Sequence, residues 1–321
     1  MLEPRDLLRR TADLAESGWS PRAIRSAVAR GHLTRLRRGW YVDTEVWRDC
    51  DERRRHVLRM SAADGDQVDA VFAGRSAAAA WGIPLFDPWP SDVLLLDRQR
   101  GGGASEPGVR RTVIVAKDAP IVRHRGFRVT SLARTVVDLA AREGAGTGLV
   151  AADWALAGGL SARKIAKTAH ERRSAYGRAA IQTTLSLMDG RSESPGESAA
   201  RFAIHELGFA VPELQAGVAD GIRVDFLWRE AGVVGEFDGM VKYVREEFTG
   251  GDPARVLWRE KRREDRIRAL GLRVVRIVFD DLRVPQRLAA ELRRAGVPRR
   301  RTVRSEPEVS GSKRTVLEQS A

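Results

Sequence analysis

Cysteine is nearly missing from this chain of 321 residues, and Cys50 is the only one. That excludes a disulfide within the chain and a cysteine-based zinc site, and a reducing cytoplasm fits. No apolar run approaches the roughly 20 residues that a membrane span requires. The amino terminus, Met1-Leu2-Glu3-Pro4-Arg5, has no signal-peptide core. A soluble cytoplasmic protein with no membrane partner is therefore expected. His56, His124, His170 and His205 lack ligand spacing and read as surface or packing residues. Gly101-Gly102-Gly103 has no helix after it, so it reads as a loop and not as a phosphate cradle.

Charge is what the chain has in excess. Lys and Arg number 56 against 43 Asp and Glu, a net charge of +13, and the pI is about 10.8. Such a balance points to a polyanionic partner, most simply duplex DNA. Arginine carries it, as in Arg53-Arg54-Arg55 and Arg299-Arg300-Arg301. The guanidinium fork suits phosphate better than an ammonium does.

Residues 1–46 read as a small DNA-binding unit. Leu7, Leu8, Leu14 and Ala15 form an apolar stripe up to Gly18. Ser20-Pro21 starts a second helix, and Gly31 stops it. Ile24, Ala27 and Val28 face inward and leave Arg22, Arg25 and Arg30 for another surface. Leu33 to Val42 then reads as a hairpin with Arg35, Arg37 and Arg38 around its turn. Helix, turn, basic helix and basic hairpin make a winged helix-turn-helix, whose second helix would enter a major groove. The plainer alternative is a small helical unit with a solvated arginine face.

The segment GHLTRLRRGWYV, following a short basic helix, resembles the amino-terminal domain of the AbiEi (type IV abortive-infection) antitoxin family. Ser76 to Pro84 and Thr130 to Leu139 also resemble that group's actinobacterial members. The resemblance implies DNA binding and repression of the protein's own promoter, not catalysis. It leaves room for a cognate toxin and a homodimer as partners, which the residues themselves do not specify.

Residues 47–190 read as an α+β middle region of unassigned role. A helix is expected through Trp81, strands at 93–96 and 112–115, and helices at 132–142, 148–156, 162–172 and 178–188. The turn-rich segment Asp189 to Pro195 marks a boundary. Residues 191–297 form the next domain, and 298–321 read as a disordered basic tail. The fold class is thus α/β multidomain, ending in a domain with the element order αβββαβ.

The chemistry lies between Gly221 and Tyr243. Two apolar strands, Ile222 to Leu227 and Val233 to Phe237, flank a short turn, and pairing them brings Asp225 beside Glu236. Adjacent buried carboxylates repel and lose hydration, so a fold keeps them with compensation, usually a cation. This domain resembles the PD-(D/E)XK nuclease superfamily, in particular its very-short-patch-repair-like branch, in GES, RVDF, GEFDG and EKRREDRIRALGLRVVRI.

That resemblance implies Glu197 as the helix acid, with Asp225, Glu236 and the Phe237 carbonyl holding Mg²⁺ for phosphodiester hydrolysis. The superfamily's lysine position is Asp238 here. Lys242 or Lys261 could supply the charge, Asp238 could be a third acidic ligand, or the fold could bind without cutting. On the following helix, Lys261 and Asp265 could pair on a solvated face; otherwise Lys261 joins the site and Arg263 or Arg266 meets phosphate. Two functions follow. One is a Mg²⁺-dependent DNA endonuclease recruited by the winged helix; the other is an AbiEi-like antitoxin or repressor with an inactive nuclease fold.

Overall fold

Leu8 and its neighbours, which carry part of the expected helical stripe, instead form a strand. The computed structural model describes residues 4–67, 69–86, 88–97, 106–113, 120–219, 221–238 and 253–300. The N-terminal elements are β1 (Leu8–Arg10), α1 (Thr11–Glu16), α2 (Pro21–Ala29), β2 (Leu33–Arg37) and β3 (Trp40–Asp43). The three strands pair antiparallel in the order β1-β3-β2. Arg9 pairs with Tyr41 and Arg10 with Trp40, partners too distant in sequence for a periodicity argument to see. Leu14, Ile24, Ala27 and Leu33 fill the core beneath α2.

The middle region adds α3 (Thr44–Asp49), α4 (Glu52–Asp64), α5 (Gly74–Trp81), β4 (Val93–Asp97), β5 (Val109–Val113), β6 (Ile121–His124) and β7 (Phe127–Thr130). The helices α6 (Leu132–Glu143), α7 (Ala145–Ala157), α8 (Ala162–Glu171) and α9 (Arg178–Leu187) follow. β4 and β5 pair parallel, β6 and β7 form an antiparallel hairpin, and Phe72 bridges to Leu95 and Val129. Sequence reading missed α4 and the β6–β7 hairpin, and it started β5 at 112 where the strand begins at Val109; residues 114 and 115 of that expectation lie outside the described residues. Gly101-Gly102-Gly103 lies outside the described residues.

His56 is fully buried on α4. Its Nδ1 lies 3.0 Å from the Pro90 carbonyl and its Nε2 2.9 Å from Ser76 Oγ. A carbonyl only accepts, so Nδ1 carries the proton and Nε2 accepts from the Ser76 hydroxyl. Burial pushes the His56 pKa down to about 4, against 6.5 for the free side chain. The unfolded chain therefore binds the extra proton first as pH falls. Stability from this group is complete above pH 6.5, and about 3 kcal/mol is lost by pH 4. Urea unfolding between those limits should show the loss, and a variant lacking His56 should not share it.

The C-terminal elements are α10 (Pro195–Glu206), β8 (Glu213–Ala219), β9 (Ile222–Trp228), β10 (Val233–Asp238), α11 (Pro253–Ala269), β11 (Arg273–Val278), α12 (Phe279–Arg283) and α13 (Pro285–Ala295). The sheet runs β11-β10-β9-β8, with β10 and β11 parallel and the other pairs antiparallel. Ala200 and Ile204 of α10 and Leu288 and Leu292 of α13 share a cluster with Phe226, Trp228 and Phe237. Ile267 of α11 joins Val224, Leu227 and Val234 in another. The sheet is thus a layer between helices, and the αβββαβ order matches the sequence expectation.

The expected borders are packed rather than open. Val42 and Leu58 share one cluster across the border at 46, and Arg37 pairs with Asp66 and Glu106. At 190, Asp153 of α7 holds Arg201 and Ser198 of α10 at 2.5 and 2.6 Å. The start of the expected tail is also tied down. Ala210 N–H donates to the Pro298 carbonyl at 2.8 Å, and Arg300 N–H to the Gly208 carbonyl at 2.9 Å. Among the described residues no helix is long and apolar enough to cross a membrane.

Candidate functional site

Two places gather the residues singled out in the sequence. The first is the N-terminal basic face. Ser20 Oγ accepts the Ala23 N–H at 3.1 Å, Pro21 occupies the first helical position, and Gly31 at φ +73° follows the helix. This fixed helix buries Ile24 and Ala27 and leaves Arg22, Arg25 and Arg30 exposed. Arg35 and Arg38 are exposed on the β2–β3 hairpin, which turns at Gly39 with φ +80°. None of these five arginines pairs with a carboxylate among the described residues. An arginine face left unpaired by its own protein is available to an external anion.

Arg37 is a correction. It leaves this face: its Nε lies 3.2 Å from Asp66 and its Nη2 3.1 Å from Glu106, with the side chain 12% exposed. The ladder slips between Arg35 and Arg37, which turns their side chains apart.

The second place is the acidic row on the C-terminal sheet. The β9–β10 ladder ends at Phe226↔Gly235, so Asp225 and Glu236 are the next residues on the two strands. There the strands part, and the Phe237 N–H donates to Asp225 Oδ2 at 2.8 Å. Glu197 approaches from the first turn of α10, accepting from Glu193 N–H and Ser194 Oγ at 2.9 and 2.8 Å. Gln215 joins the two carboxylates, its Nε2 2.9 Å from Glu197 and 3.4 Å from Asp225.

Burial, then the Asp225 charge, raises the Glu197 pKa, opposed by its hydrogen bonds. Burial raises that of Glu236 as well, with Asp225 and Asp238 adding to it and Arg263 opposing. The Asp225 charge thus acts on both Glu197 and Glu236.

The surroundings differ from the expectation. Arg263, expected to meet phosphate, donates to Glu236 Oε1 at 2.9 Å. Asp238 takes a hydrogen bond of 2.7 Å from Arg276 of β11, which also holds Glu264. Lys261 is exposed on α11, as is Arg266. Lys242 and the 239–252 segment lie outside the described residues.

Oxygen donors of this kind suit a hard divalent ion. Among the described residues, however, no three His, Cys, Asp or Glu side chains are arranged to hold one. As placed, the carboxylates of the row are engaged by the protein's own donors. Sequence reading missed Gln215 and Arg276. Arg276 had a signal, an arginine in an apolar strand in register with Glu236; Gln215 falls at an unpaired position between Leu214 and Ala216.

Comparison with known proteins supplies a class first. The family described as "Transcriptional regulator, AbiEi antitoxin" matches residues 10–42, the segment from Arg10 through β3. Two proteins from strains of Mycobacterium tuberculosis, named Uncharacterized protein MT2308 and Uncharacterized protein Rv2248, are each 33% identical over 232 residues. Each alignment covers 70% of this chain and 83% of the relative. This chain belongs to the family of those mycobacterial proteins.

Proposed function

We propose that this protein is a DNA-binding transcriptional regulator of the AbiEi antitoxin type. The reading rests on one observation above others: Arg22, Arg25 and Arg30 stand exposed and unpaired on a helix rigidly started by Ser20-Pro21. The order β1-α1-α2-β2-β3, with a basic hairpin after the basic helix, supports a winged helix-turn-helix. In that arrangement α2 would lie in the major groove, while Arg35 and Arg38 would contact the backbone. The family match over residues 10–42 supports the same reading. Its test is binding of the full chain to duplexes spanning its own promoter, with footprinting to locate the site. Uniform binding to unrelated duplexes would leave only a non-specific DNA binder.

A second reading, a Mg²⁺-dependent endonuclease, draws on Glu197, Asp225 and Glu236 converging around a parted pair of strands. To hold an ion, these acids would have to release Gln215, Arg263 and the Phe237 N–H. Plasmid nicking in Mg²⁺ against chelator tests it. The regulator reading expects no cleavage above that of Asp225→Ala; Mg²⁺-dependent nicking abolished by Asp225→Ala and by Glu236→Ala would establish the nuclease.

A further inference from the structure

The run Arg53-Arg54-Arg55 is not used by the N-terminal face, and its members go different ways. Arg55 is spent inside the protein, on Glu52, the Trp47 and Arg48 carbonyls and the Trp47 ring. Arg53 points elsewhere. A Cβ built on Gly82 would lie 4.0 Å from Arg53 Nη1, 4.0 Å from Arg125 Nη1 and 4.0 Å from the Trp154 ring. One nitrogen of each of two guanidiniums, from α4 and from the β6–β7 turn, thus borders the same residue without a side chain, within about 8 Å of one another.

No carboxylate pairs with either arginine among the described residues. Arg53 Nη1 donates to the Ala79 carbonyl at 3.3 Å, which leaves its remaining donors uncommitted. Gly82, at φ +87°, caps α5, and a side chain there would lie against a nitrogen of each guanidinium.

The backbone adds an independent observation. His124 pairs with Phe127, so Arg125 and Gly126 form a two-residue hairpin turn, with φ values of +46° and +80°. Such a turn favours Asn or Gly at its first position, and an arginine there is strained. The preceding residue, His124, stacks on Trp81 at 4.1 Å and has a buried Nε2 without a hydrogen-bond partner. The turn is also tied to the N-terminal unit, because Arg5 Nη2 donates to the Gly126 carbonyl at 3.3 Å.

We infer that Arg53 and Arg125, set over Gly82 beside Trp154, form a phosphate-binding recess that takes a backbone phosphodiester of the duplex engaged by α2. The inference rests on the DNA-binding reading for its ligand. Paired guanidiniums recognise a tetrahedral oxyanion through several charge-assisted hydrogen bonds. Strain at Arg125 is then retained for binding and not for folding.

The test uses the full chain as wild type, Arg125→Gly and Arg53→Lys/Arg125→Gly, with fluorescence anisotropy on labelled promoter duplex across a salt series. Losing one phosphate contact should reduce the log–log salt slope by about 0.9. Sequence preference should be unchanged. Arg125→Gly should also melt at a higher temperature than wild type, because glycine relieves the turn. A second arm measures the rise in melting temperature that pyrophosphate gives wild type, which the variants should lack.

An unchanged slope together with a lost pyrophosphate response would keep the recess but overturn the duplex as its ligand. Unchanged slope and unchanged pyrophosphate response would overturn the recess. If wild type binds no duplex at all, the regulator reading fails, and the pyrophosphate arm alone decides the recess.

Discussion

Asp153→Ala is expected to cost about 3–5 kcal/mol of folding stability, the usual penalty for removing one partner of a buried ion pair. Asp153 is 1% exposed and Arg201 3% at the side chain, so water cannot take over when the carboxylate goes. The Asp153 Oδ2 accepts from Arg201 and from Ser198, while Oδ1 accepts the Asp189 N–H at 2.7 Å. Alanine would strand all three donors, whereas Asp153→Asn keeps the shape and loses the charge. Denaturant unfolding should therefore rank wild type above Asn and Asn above Ala. The effect should also reach the acidic row, since Glu197 lies one turn from Arg201 on α10. Stability unchanged in the alanine variant would mean that the middle region and α10 are not joined through this pair.

The second large effect concerns DNA. Arg22 and Arg25 are exposed on α2, so alanine there should leave the fold intact. Each side chain that reads a base edge contributes about 1–3 kcal/mol of discrimination. Arg22→Ala and Arg25→Ala should each weaken promoter binding by roughly tenfold to a hundredfold and relax sequence preference. Arg37→Ala should behave differently. Its guanidinium is committed to Asp66 and Glu106, so its loss should register as lowered stability and not as altered specificity.

Local signals carried a good part of this fold. The Ser20-Pro21 start and Gly31 stop placed α2, and the αβββαβ order was readable from the apolar runs and turns after Pro195. What escaped was non-local. β1 reads as helix until its partner β3 is known, because Leu7, Leu8 and Leu14 satisfy a helical stripe. Arg37 reads as one more wing arginine until Asp66 and Glu106 come beside it from another region.

Asp225 and Glu236 were legible as a pair because side chains alternate along strands and the turn sets the register, while Glu197 came from the nuclease resemblance. Their counter-charges were not legible. Arg263 and Arg276 reach them from elements separated in sequence, and the 3.4 Å approach of Gln215 to Asp225 needs a backbone with φ +51° at Gln215. No residue pattern announces that angle. The magnesium expectation followed from the acids together with the nuclease resemblance, and the donors beside those acids were not legible in the sequence.

One titration probes the whole proposal most directly: affinity of the full chain for its promoter duplex, measured against salt in wild type and in Arg22→Ala/Arg25→Ala. With each phosphate contact adding about −0.9 to the log–log slope, several arginines at the interface predict a slope steeper than about −3. The double substitution should make that slope shallower and remove the preference for the promoter. Affinity indifferent to salt, or a promoter preference that survives the loss of both arginines, would contradict the assignment of α2 as the element that reads DNA.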